Sequence, residues 1–308
     1  MKNIRYNWSA IALITAMVLA GSGSCTRDFE ELEPASYPTT PEVFIDGFSA
    51  GLNYAAFGGS KVTAFDVDKK EKYEGSASMK FEVPDYEDPE GAYAGGTYFT
   101  AVARDLSGYD ALTFWAKASK SATIDLVGFG NDLGESKYLV SLPDVNVNTN
   151  WKKFIIPIPD PSRLTMEKGM FFYSEGPEDG KGYTFWIDEV KFEKLGTIAH
   201  RQPIILDGND KVESAVNGLK FPVGGLKVTF NMPTGTDQTV SAAPAYFSFA
   251  SSNAGVASVD GTGLVSVLSE GTAVITATSG GLEAEGSLTV QSAGNFVHAP
   301  VPEPEQED

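Results

Sequence analysis

Nine stretches between residues 42 and 195 alternate apolar and polar side chains with a period of two. They are VFIDGF (43–48), SASMKFEV (76–83), GTYFTAVA (96–103), ALTFWAKA (111–118), ATIDLVGFG (122–130), KYLVSL (137–142), WKKFIIPI (151–158), GMFFYSE (169–175) and YTFWIDEVKFE (183–193). This alternation places successive side chains on opposite faces of an extended chain. Gly, Pro, Asn and Asp separate the runs where the chain has to turn. None carries a 3.6-residue apolar stripe, and RLTMEKG (163–169) has room for one helical turn only. Without helices to cover a parallel sheet, the pattern predicts an all-β fold, an antiparallel β-sandwich over 42–196. In WKKFIIPI, Phe154, Ile156 and Ile158 make the core-facing set, while Trp151, Lys153 and Ile155 point the other way.

The remaining composition excludes several functions. Hydrophobic residues are 42% of the 308 and aromatics 11%, enough for a packed core and incompatible with global disorder. Asp and Glu number 41 against 23 Lys and Arg, a formal charge of −18. A nucleic-acid binder needs a basic face, so none is expected. Surface-charge attachment to anionic lipid is equally disfavoured. The single cysteine, Cys25, excludes an intrachain disulfide and a Cys-rich zinc site. The two histidines, His200 and His298, fall in linkers and supply little for Ser–His or Cys–His catalysis.

The first residues read as an address. Lys2 and Arg5 precede an apolar run at 9–20, too short to span about 30 Å of hydrocarbon. Ser22, Gly23 and Ser24 before Cys25 resemble a bacterial lipobox, with Ser22 standing where leucine is commonest. The resemblance implies a signal peptide at 1–24 and acylation of Cys25, which anchors the chain to a membrane by its lipid. Ordinary signal cleavage leaving a free thiol is the other reading. Residues 25–41 hold Asp28, Glu30, Glu31 and Glu33, then Pro34, Pro38 and Pro41, and predict an extended tether. An acidic run after the cysteine also resembles the surface-export signal of Bacteroidetes lipoproteins, implying the outer membrane with the chain facing the cell exterior.

Two carboxylates break the apolar alternation. Asp188 shares a face with Trp186, Val190 and Phe192 under strict alternation, and Asp46 shares one with Phe44 and Phe48. An unpaired buried carboxylate is costly. A structural Ca2+ with oxygen ligands resolves both; so does capping of loop N–H groups at strand ends.

DLSGYDALTFWAKAS (105–119), NWKKFIIPIPD (150–160) and YTFWIDEVKFE (183–193) resemble the galactose-binding-like β-jelly-roll of carbohydrate-binding modules, especially families 4, 9 and 11. The resemblance implies a calcium held by Asp46, Asp68 (ahead of Tyr73 and Gly75) and Asp188. It also implies a polysaccharide or host glycan as partner. Pyranose C–H faces pack on aromatic rings, and hydroxyls need polar partners. Aromatics not needed by the core are therefore candidates, with polar neighbours beside them: Tyr93, Tyr98, Phe129, Asn131, Tyr138, Tyr173 and Glu175. The alternative for each ring is a core or cross-strand role. Trp115 and Trp151 read as structural.

Residues 203–291 predict a second, smaller sandwich. SSNAGVASVD, GLVSVLSEGTAVITAT and SLTV resemble a bacterial Ig-like domain of group 2, which implies a spacer or adhesive role. Val256, Val259, Val265, Val274 and Ile275 are its expected core, and the Pro- and acid-rich 292–308 is expected to be disordered. A laminarinase-type jelly-roll enzyme carries E-x-D-x-x-E on a strand; DEVKFE (188–193) lacks the leading acid. The reading is thus a non-catalytic surface lipoprotein that binds glycan, with an outer-membrane glycan uptake complex as a further expected partner. An adhesive surface protein, or ancillary modules of a glycoside hydrolase, are the alternatives.

Overall fold

The computed structural model describes residues 36–295, apart from the side chain of His200. Residues 1–24, read above as a signal peptide, Cys25, most of the expected tether and residues 296–308 lie outside the described residues. The first twelve strands are β1 (Glu42–Ile45), β2 (Gly47–Phe48), β3 (Leu52–Ala56), β4 (Phe65–Asp68), β5 (Ser78–Val83), β6 (Ala94–Arg104), β7 (Ala111–Ala118), β8 (Ala122–Phe129), β9 (Val140–Val147), β10 (Lys152–Pro157), β11 (Glu167–Glu175) and β12 (Tyr183–Glu193). Eleven follow: β13 (Ala199–Ile204), β14 (Asp210–Ala215), β15 (Lys220–Pro222), β16 (Lys227–Asn231), β17 (Asp237–Ala242), β18 (Ser248–Ser251), β19 (Ala257–Val259), β20 (Leu264–Val267), β21 (Gly271–Ser279), β22 (Leu282–Glu283) and β23 (Ser287–Ser292).

The all-β sandwich expected from the alternation is present. One face is a seven-stranded sheet ordered β10-β7-β12-β1-β2, with β5 also on β12 and β4 on β5. The other is an eight-stranded sheet ordered β13-β16-β17-β9-β8-β11-β6-β3. Between them pack Phe44, Phe81, Phe114, Phe129, Phe171, Phe185 and Phe192, all buried. Burial of one such ring contributes about 1.5–3 kcal/mol, and these supply much of what opposes chain entropy.

The second half builds its core from two further sheets, β14-β23-β21-β18 with β22, and β15-β20-β19. Val256, Val265 and Ile275 are buried there as expected. Val274 is not fully buried: Ala273, Ile275 and Ala277 take the inward positions of β21. The second sandwich is also not a free-standing bead. Its β17 pairs with β9 of the first, Ser241 opposite Ser141 and Ala242 opposite Val140, so one sheet runs through both.

Candidate functional site

Register decides which rings can meet a ligand. In the eight-stranded sheet Tyr98 stands opposite Phe171, and Tyr173 opposite Gly96 and Val127. All of these face the interior. Tyr98 is 1% exposed, and Phe129 and Tyr173 are at 0%. The expectation that these three rings face a saccharide is therefore corrected. They are core, because FFYSE has an apolar residue on both faces and pairing turns Tyr173, not Phe172, inward. Tyr173 shares a 3.0 Å hydroxyl contact with Tyr54. Glu175 is likewise internal: it accepts from the Tyr183 hydroxyl at 2.8 Å and from the Asp125 N–H. Burial pushes its carboxyl up to about 7, against the lowering effect of those donors. Glu167, opposite Arg104 in register, is pushed up to about 7 by the same cause.

Two expected residues lie on the outer face of this sheet, one on each side of β6. The Tyr93 ring lies over Gly95, where a Cβ would come within 2.6 Å of it, and Phe57 lies beside it. Gly95 thus leaves space that any side chain would fill. The Tyr93 hydroxyl donates to Gly58 O at 2.9 Å, which fixes the ring while leaving it partly exposed. On the far side, the Thr97 hydroxyl donates to Asn131 O at 2.7 Å, and the Asn131 amide oxygen accepts from Leu133 N–H at 3.2 Å. Between them runs an outer row in register across four strands: Gly95, Ser174, Leu126 and Pro143. Ser174 and Leu126 are partly exposed and Pro143 is exposed. Sequence reasoning missed Phe57, Ser174, Leu126 and Pro143; the parity of Ser174 relative to Tyr173 was the available signal. Such a face offers rings, a short apolar strip, a hydroxyl and an amide, the mixture a sugar ring needs.

Tyr138 stands elsewhere, partly exposed, its ring 5.5 Å from that of buried Tyr246 and its backbone O accepting from the Tyr246 hydroxyl at 3.2 Å. It belongs to the junction between the two sandwiches.

The three aspartates do not converge. Glu189 adopts φ +52° and the β12 register shifts between Asp188 and Lys191. This bulge separates Asp188 from Val190 and Phe192, which face the core, and puts Asp188 on the outer face opposite Trp115. Asp188 is enclosed there by the 73–74 loop: it accepts from Tyr73 N–H at 2.8 Å, Glu74 N–H at 3.4 Å and Glu189 N–H at 2.8 Å. Burial raises its pKa while those donors oppose the rise. Asp46, at φ +58° in the β1–β2 turn, accepts from Ser76 and Ala77 N–H. Asp68 accepts from Lys70 N–H at 2.7 Å and from the Trp186 indole N–H at 3.0 Å. Among the described residues no three acidic, His or Cys side chains gather as a metal site. The arrangement fits loop capping, the other reading of these carboxylates.

Around Asp188 the outer face of the seven-stranded sheet carries Trp115, Trp151 and Trp186. Tyr73 stacks on Trp115 at 3.8 Å and 12°, and Trp151 meets Tyr73 edge-on at 6.1 Å. Lys117 lies 5.5 Å over Trp186. These rings largely occupy one another.

The described residues thus form a β-sandwich whose eight-stranded sheet runs on into a second, smaller sandwich. Residues 45–194 match the family model of carbohydrate binding domain 30, and residues 228–291 that of the bacterial Ig-like domain (group 2). No curated protein matches the chain. A family 11 carbohydrate-binding module from Clostridium thermocellum, solved with a β-1,3-1,4-mixed-linked tetrasaccharide, is 14% identical, with 52% of this chain and 98% of that one covered at a TM-score of 0.36. A family 30 module of a cellulosomal cellulase of Clostridium thermocellum is 17% identical over 52% and 95%, at 0.33. A β-1,2-glucanase from Parabacteroides distasonis is 11% identical over 84% of this chain and 39% of its own, at 0.32. At these scores none of the three bears on the ligand of this chain.

Proposed function

We propose that this chain is a non-catalytic, lipid-anchored surface protein that binds a neutral polysaccharide on the outer face of its eight-stranded sheet. The match of 45–194 to a carbohydrate-binding family carries the reading. The partly exposed Tyr93 ring, held over Gly95 beside Phe57, is where a pyranose face would pack. The formal charge of −18 favours a neutral glycan over a polyanion, which it would repel. The lipobox-like residues before Cys25 support acylation there, and the acidic run after it supports exposure at the outer membrane, where captured glycan could pass to an uptake complex.

A second reading, ancillary modules of a glycoside hydrolase, rests on the same family match. Affinity electrophoresis of the chain in gels cast with β-glucan, xylan or mannan tests the binding. Retardation by one polymer, lost in Tyr93→Ala, is the expected result. No retardation on any polymer overturns it, and reducing-sugar release overturns the non-catalytic part.

A further inference from the structure

The outer face does not stop at the edge of the jelly-roll. One register row passes from Thr97 through Phe172, Gly128 and Ser141 to Ser241 and then Lys227. Cross-strand partners share a face. Thr97, Phe172 and Gly128 are buried on theirs, so the open path from Tyr93 runs along the neighbouring row, Ser174, Leu126 and Pro143, and then along β9 to Ser141, beside the outward side of β17 and β16. Six strands, from β6 to β16, span roughly 24 Å at the usual inter-strand spacing. The crossing point is fixed. Ala243 N–H donates to Leu139 O at 2.9 Å, and Tyr246, fully buried, donates its hydroxyl to Tyr138 O. Beyond it the surface is lined by hydroxyls: Ser141 and Ser241 are partly exposed, Thr239 is exposed, and the Thr229 and Thr239 hydroxyls lie 2.8 Å apart. Lys227, the cation in the row, is paired with Asp207 at 2.8 Å.

We infer that the glycan site continues across the junction onto β17 and β16, so that the chain takes a neutral, extended polysaccharide along a surface built by both sandwiches. This rests on the binding reading above and adds the length of the ligand and the second contributor. Hydroxyl-lined extended backbone can exchange hydrogen bonds with successive sugar units, and each added unit in contact strengthens binding until the surface ends.

Calorimetric titration of the full chain with neutral gluco- and manno-oligosaccharides, from disaccharide to octasaccharide, tests it. Affinity should climb with length beyond the tetrasaccharide. Thr239→Arg, on an exposed site, should leave the melting temperature and the disaccharide affinity unchanged and weaken the octasaccharide about tenfold, or about 1.4 kcal/mol. Tyr93→Ala should weaken every length. If Thr239→Arg binds every length as the parent does while Tyr93→Ala is weakened, the site is confined to the jelly-roll and this inference falls. If no oligomer binds at all, the underlying binding reading falls with it.

Discussion

The carboxylate of Asp188 accepts the backbone N–H of Tyr73 across 2.8 Å, joining the last strand of the jelly-roll to a loop more than a hundred positions earlier. That bond holds the Tyr73 ring flat against Trp115. Replacing Asp188 by Ala strands several loop N–H groups and should destabilise the fold by about 1–3 kcal/mol. Trp fluorescence should change with it, since Trp115 loses its stacking partner. Asp188→Asn, which keeps one acceptor, should fall between. An unaltered denaturation midpoint in Asp188→Ala would remove this role.

Dialysis against EDTA is expected to leave the melting temperature unchanged, because backbone N–H groups already satisfy Asp46 and Asp188. A fall in melting temperature, restored by added Ca2+, would show that a cation holds the loop after all.

Glu167 and Glu175 set a pH dependence. Their carboxyls sit at about 7 in the folded chain against an ordinary 4.5. The folded state therefore binds more protons than the unfolded state between those values. The stability they contribute is full below about pH 4.5 and is lost as pH rises through about 7. Melting should be higher at about pH 5.5 than at about pH 7.5, and Glu175→Gln should flatten the slope. A rise in melting temperature over that interval would contradict the assignment.

The Tyr98 hydroxyl is enclosed without a hydrogen-bond partner among the described residues. Tyr98→Phe deletes that polar atom and keeps the ring packing against Phe48 and Tyr54. Urea denaturation should show it neutral or more stable, by about 1 kcal/mol. A clear loss would mean that the hydroxyl is satisfied in solution.

Tyr173→Ala should act on the fold, costing about 3–5 kcal/mol as a large core truncation. Any remaining folded protein should bind glycan oligomers as the parent does. Weakened binding with an unchanged melting temperature would return Tyr173 to the ligand.

The alternation over 42–195 made the strands legible, and in WKKFIIPI it also marked the face, because Lys153 sits among Trp151 and Ile155 on the other side, and Ile156 and Ile158 are the buried pair. FFYSE was different: Phe172 and Tyr173 are equally apolar, and only pairing with Gly96 and Tyr98 chooses between them. The bulge at Glu189 left no trace either, since its left-handed backbone falls on a residue that gives no warning of it. Assuming unbroken alternation there placed Asp188 on the face of Val190 and Phe192, from which the bulge separates it. Tyr93 and Asn131 stand out in the sequence because they adjoin glycines at strand ends, where a ring can lie over bare backbone. The partnership of Ser141 with Ser241 joins segments far apart in sequence through small residues, and nothing in either segment announces it.

That partnership has a further consequence for the molecule's handling. Severed between its halves, the jelly-roll would expose β9 as a bare ladder edge, its N–H and C=O groups unpaired at Ser141 and Val140. Open edges of this kind recruit strands from neighbouring copies. The Ig-like half thereby shields its companion from self-association, and an isolated jelly-roll is a poorer proxy for the protein than its sequence boundaries suggest.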